Sequence, residues 1–202
     1  MDKETKDTKD EWFTPEGITS PVFVPDEQGT TVFDEDLGFP GVCGQPCFSV
    51  EESYEVWSPD NPGNPLPEPG NNTYVYTLTH DGGSGPFVPA VLDFTMKVDS
   101  DFVTDAGSLS GSGVEPSEVS ISELFDVVTW KFENDLLDPG ETTQELFVHS
   151  PLDPGNVDAT MTGQASLTAY SETVGPLTVP EPATSLLMLI AVVTVAALRR
   201  VA

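Results

Sequence analysis

Apolar and polar residues alternate along much of this chain, and the alternation has the period of a strand. In the stretch 73–79, which is rich in β-branched and aromatic residues, Tyr74, Tyr76 and Leu78 fall on one face. Leu92, Phe94, Met96 and Val98 repeat that period of two, as do Val128, Trp130 and Phe132. The predicted strands are 30–33, 48–57, 73–79, 91–98, 119–132, 145–149 and 159–170. Clusters of Pro, Gly, Asn and Asp separate them at 59–72, 81–89, 105–116, 138–141 and 151–156. No stretch before the C-terminal tail sustains a 3.6-residue apolar repeat. Short strands between turn signals predict an all-β fold, a β-sandwich of the immunoglobulin-like or a related kind over residues 12–178. Burying the alternating faces of two sheets is how such strands make a core. The stretch 59–72 holds five prolines within eleven residues and reads as a stiff, extended connection. It either divides off a small N-terminal piece or forms a long loop within one domain.

The tail breaks the pattern. Pro180-Glu181-Pro182 is followed by sixteen residues, 183–198, without charge, Gly or Pro, and then by Arg199-Arg200. As a helix the apolar run reaches roughly 24 Å at ~1.5 Å per residue. That is a little short of the ~30 Å hydrocarbon core, so it spans with thinning or snorkelling at its ends. The arginines place the C-terminus on the cytoplasmic side and everything before Pro180 outside. The two prolines keep the preceding backbone extended, a form that a processing enzyme can grip.

This order of elements, Val179-Pro180-Glu181-Pro182, an apolar helix and a terminal basic pair, resembles the PEP-CTERM sorting signal of Gram-negative bacterial surface proteins. The resemblance covers residues 179–202. It implies recognition and processing by an exosortase, transient residence in the inner membrane, and delivery to the cell surface or an extracellular matrix containing exopolysaccharide. Residues 73–170 more weakly resemble the β-sandwich ectodomains that precede this signal. That likeness rests on Tyr74-Val-Tyr-Thr-Leu-Thr79, Trp130-Lys-Phe132, the Leu137-Asp-Pro-Gly turn and the strand ending at Ser150. Such residues pack and turn, and imply a fold without an activity.

Charge narrows the partners. Acidic residues number 34 against seven Lys and Arg, a formal net charge of −27. Between positions 11 and 180 the only cations are Lys97 and Lys131. Such a surface repels nucleic acid and anionic headgroups, and it suits salty surroundings that screen self-repulsion. Residues 1–11 are charged and of low complexity, so they are expected to be unstructured. They lack the apolar stretch of an export signal, although the family pattern implies one, so the true start is expected upstream.

Candidate chemistry is sparse. Cys43 and Cys47, in Cys-Gly-Gln-Pro-Cys, either close a small disulfide loop in an oxidising compartment or remain free thiols. A metal site needs further soft ligands, and His80 and His149 have no matching spacing; each sits at a strand end where an exposed histidine is expected. Asp99-Ser-Asp101-Phe-Val-Thr-Asp105 starts like a calcium loop but puts Val103 and Thr104 where a ligand and a glycine belong. No Gly-x-Ser-x-Gly, Walker loop or His-Glu-x-x-His occurs. The reading is of a non-enzymatic exported protein with no cofactor, catalytic residue or metal site. The competing class is a carbohydrate-binding module or carbohydrate-active enzyme displayed by the same route. Exposure of Tyr54, Trp57 or Trp130 on one flat face would favour the second; their burial would favour the first.

Overall fold

The computed structural model describes residues 23–35, 43, 46–84 and 86–177. The expected unstructured leader at 1–11 and the expected apolar helix at 183–198 lie outside the described residues. Among the described residues ten strands follow one another: β1 (Glu27–Asp34), β2 (Ser49–Trp57), β3 (Asn72–Gly82), β4 (Val91–Lys97), β5 (Asp105–Ser108), β6 (Glu118–Ser122), β7 (Val127–Lys131), β8 (Leu146–Ser150), β9 (Pro154–Gly163) and β10 (Thr168–Pro176). They form two five-stranded antiparallel sheets, β1-β2-β3-β8-β5 and β10-β9-β4-β7-β6. After the β1-β2-β3 meander the chain crosses to the second sheet with β4, returns with β5, and crosses again for the β6–β7 hairpin. β8 then inserts between β3 and β5, and β9–β10 complete the second sheet. The sheets close on each other at both margins, where β1 approaches β10 and β5 approaches β6. The fold is all-β and sandwich-like.

The alternation seen in the sequence is what fills the space between the sheets. Tyr74, Tyr76 and Leu78 of β3 face Phe94, Met96 and Trp130 of the second sheet, and all are fully buried. Phe94 is the hub. Its ring stacks on Trp130 with centroids 5.5 Å apart and 17° between planes, and it meets Tyr76 and Phe33 edge-on at 6.2 and 6.0 Å. Offset and edge-on aromatic pairs of this kind add to what area burial alone provides. Each large amphipathic residue also bonds its polar end across or along the layer. Tyr76 Oη donates to the Val174 carbonyl at 2.9 Å, Trp130 Nε1 to the Gly107 carbonyl at 2.9 Å, and Tyr74 Oη to the Leu152 carbonyl at 2.7 Å. Buried hydroxyl and indole groups thus keep their hydrogen bonds.

Three expectations change in detail. The stretch 119–132 is two strands, because the chain reverses at Glu123-Leu-Phe-Asp126, with Asp126 at a φ of 53°. The stretch 159–170 is likewise the end of β9 and the start of β10, joined by a turn in which Ala165 and Ser166 have φ of 61° and 59°. The first turn carries no Gly or Pro, and the second has only Gly163 at its start, so neither stands out as a reversal in sequence. Conversely, Asp105-Ala-Gly-Ser108 reads as a turn cluster yet forms edge strand β5, held by β8. Gly107 there allows the Phe147 ring to lie across the strand, where a Cβ would come within 2.8 Å of it.

The proline-rich stretch connects β2 to β3, which pair antiparallel along their lengths. It folds back over the outer face of the first sheet. Leu66 offers its carbonyl to Thr73 Oγ1 at 3.0 Å, and Asn64 and Asn61 make local side-chain turns at 2.9 and 3.0 Å. Gly63 lets the loop lie flat on Trp57, whose ring a Cβ would approach to 2.8 Å.

Candidate functional site

Val179, Pro180, Glu181, Pro182, Arg199 and Arg200, the residues of the predicted sorting signal, lie outside the described residues. The nearest described part of the chain is the end of β10, where the Leu177 amide donates to the Asp153 carbonyl at 3.2 Å.

Cys43 and Cys47 are joined by a disulfide, with their Cα atoms 5.1 Å apart, within the range that a bridge accepts. The pair lies in the β1–β2 connection and both residues are buried. The Cys47 amide donates to the Glu35 carbonyl at 3.2 Å, and the next loop is sewn to it by Ser84, whose amide and hydroxyl reach the Pro46 carbonyl at 2.9 and 3.1 Å. The bridge therefore staples a strand connection.

Both histidines are buried, contrary to the expectation of exposed rings. His80 sits at the end of β3 with Nδ1 accepting from the Gly82 amide at 3.0 Å. A backbone N–H can only donate, so Nε2 carries the ring proton and gives it to the Pro89 carbonyl at 3.0 Å. The ring packs on Phe48. His149 lies on the outer face of β8 beneath the proline-rich loop. Its Nδ1 is 2.9 Å from Glu68 Oε2 and its Nε2 3.0 Å from the Leu66 carbonyl. Both partners are acceptors. No local pattern announces these bonds, because the loop partners of His149 are some eighty residues away in sequence.

The aspartates separate. Asp105 accepts from the Ala106 amide within β5 at 2.9 Å. Asp99 precedes the short turn Ser100–Phe102 and Asp101 lies within it; with Asp126 and Asp158 they border a shallow depression at one end of the body. Among the described residues no group of three or more His, Cys, Asp and Glu side chains is arranged to hold a metal ion.

The aromatic candidates for a sugar platform are not displayed. Trp130 is core, Trp57 lies under the proline-rich loop with Nε1 bonded to Glu55 at 3.0 Å, and Tyr54 is half-buried against the core. Among the described residues the exposed aromatic side chains are Phe23, Phe87, Phe102, Phe125 in the β6–β7 turn and Tyr170 on the outer face of β10.

One titratable group escaped sequence reasoning. Glu52 points inward from β2 and is fully buried. Its Oε1 accepts from Thr173 Oγ1 of β10 at 2.6 Å, and among the described residues Oε2 has no hydrogen-bond partner. Burial pushes the carboxyl up to about 7, against a partial opposing effect of the Thr173 bond. Among the described residues it has no charge partner, and its bond to Thr173 ties β2 of one sheet to β10 of the other. Among 34 acidic residues it was distinguishable only as an acid on the inward phase of a strand.

Lys97 and Lys131 both lie on the outer face of the second sheet. Lys131 pairs with Glu118 at 2.9 Å, an ion bond that raises its pKa, while burial raises that of its cross-strand neighbour Asp93. No family model matches the chain, and no curated protein matches it.

Proposed function

We propose that the chain is a non-enzymatic exported protein of the cell surface or extracellular matrix, sorted through a PEP-CTERM signal at residues 179–202. The body before it is a β-sandwich of the immunoglobulin-like or a related kind. The observation that carries this reading is the order Pro180-Glu181-Pro182, an uncharged run at 183–198, and Arg199-Arg200. An exosortase is the transient partner, and the inner membrane is the site of processing. The Cys43–Cys47 bridge supports it, since such bonds persist in oxidising compartments. So does the acidic surface, which suits an exterior where salt screens repulsion. Burial of Trp57 and Trp130 favours a structural or interaction role over a flat sugar-binding platform. Among the described residues no helix is long and apolar enough to cross a membrane.

The test is the C-terminal end of the protein recovered from its native host, by intact mass and C-terminal peptide mapping. Loss of everything after about Pro182, dependent on a host exosortase, is the expected result. An intact Ala202 in the membrane fraction would make the protein a plain tail-anchored one and remove the sorting assignment.

A further inference from the structure

The end of the body from which the chain departs is also the end that displays apolar side chains in loops. Leu124 and Phe125, at the centre of the β6–β7 turn, are 82 % and 70 % exposed, and Phe102 in the turn Ser100–Phe102 is 42 % exposed. Reversals are ordinarily made with Gly, Asn, Asp or Pro, so two large apolar residues at the tip serve no need of the turn itself. Adjacent exposed apolar side chains of this size mark a contact surface. The two turns are fastened together, with Ser100 Oγ donating to Asp126 Oδ1 at 2.8 Å and the Val98 amide to the Asp126 carbonyl at 2.8 Å. Leu177, the last described residue, borders the same depression as Asp99, Asp101 and Asp126. Only residues 178–182 separate it from the apolar run. Six backbone steps reach at most ~22 Å, so a membrane-inserted tail holds this end within that distance of the bilayer.

We propose that this end of the body rests on the bilayer while the tail is inserted, with Leu124, Phe125 and Phe102 entering the headgroup layer. The inference rests on reading residues 183–198 as a membrane segment, and it adds an orientation that the tail alone does not fix. The surface is zwitterionic, because Glu123, Asp126, Asp99 and Asp101 surround the apolar tips and would be repelled by anionic headgroups. The acids stay in water while the tips dip. The body is thereby held with its strand ends toward the membrane as the Pro180-Glu181-Pro182 stretch is presented for cleavage.

The experiment uses the full chain, with the Cys43–Cys47 bridge left oxidised, reconstituted into phosphatidylcholine vesicles. An environment-sensitive fluorophore is placed at Phe125→Cys and, in a second protein, at Ser112→Cys in the exposed loop at the opposite strand ends. Protection of the tail from protease is read in parallel. The expected result is a protected tail, a blue shift at position 125 that lipid-borne headgroup quenchers extinguish, and no shift at 112. Adding Leu124→Ser should diminish that shift without changing tail protection. A protected tail with no shift at 125 overturns the docking and leaves the membrane reading intact. An unprotected tail overturns both. A concentration-dependent blue shift at 125 without vesicles assigns the tip to a second copy and overturns the lipid proposal.

Discussion

Glu52 illustrates how one side chain can couple this fold to pH. The carboxyl is neutral when protonated, and burial between the sheets favours that form, so its pKa rises from 4.5 to about 7. In the unfolded chain the group ionises near its ordinary value. Between roughly pH 4.5 and 7 the folded protein holds a proton that the unfolded chain has released. The contribution to stability is therefore full below the unfolded pKa and is lost as pH rises through the folded one. The shift corresponds to roughly 3 kcal/mol across that window. Other carboxylates titrate too, so the informative quantity is the difference between wild type and Glu52→Gln, which keeps an acceptor for Thr173 without ionising. Denaturant melts from pH 4 to 8 should show the variant gaining on wild type between roughly pH 4.5 and 7 and levelling off above that. A constant difference across the range would mean that Glu52 is solvated and titrates normally.

At the scale of elements, the sequence was most legible where alternation is buried on one face. Tyr74, Tyr76, Leu78, Phe94, Met96 and Trp130 all face the core as their period requires. It was least legible where tertiary contacts override local chemistry. The β6–β7 turn carries Leu124 and Phe125 in place of turn residues, so hydropathy ran straight through it, and β5 is too rich in turn formers to announce itself without β8 beside it. His80 and His149 were misplaced for the same reason, since loops that fold over strand ends bury them. The sorting signal proposed for the tail rests on sequence alone, because its residues lie outside the described part of the chain. The Cys43–Cys47 bridge closes one strand connection, and that sets the scale of its effect. A loop this short confines the unfolded chain by roughly 2 kcal/mol. For a chain of this size the double variant Cys43→Ser/Cys47→Ser should melt about 4–8 °C lower. Calorimetry of the variant beside the wild type, with and without reductant, checks it. If wild type is insensitive to reductant and the variant melts at the same temperature, the β1–β2 connection is held by its backbone bonds alone.

At the scale of the whole molecule the dominant quantity is charge. A formal −27 carried with seven cations means that most pairs of ionised groups repel. Compaction brings these charges together, so repulsion opposes folding most when solvent ions are scarce. The Debye length falls from about 30 Å at 0.01 M to about 10 Å at 0.1 M and 3 Å at 1 M. Most of the relief therefore arrives by a few hundred millimolar, once screening is shorter than the spacing between neighbouring carboxylates. The melting temperature should climb steeply from 10 mM NaCl and flatten beyond about 0.3 M. A preferential-exclusion effect would instead rise with sulfate more than chloride and keep rising at high concentration. A melting temperature indifferent to NaCl below 0.3 M would show that the acids are spaced widely enough not to oppose the fold. Their number would then have to be explained by what the surface repels outside the molecule.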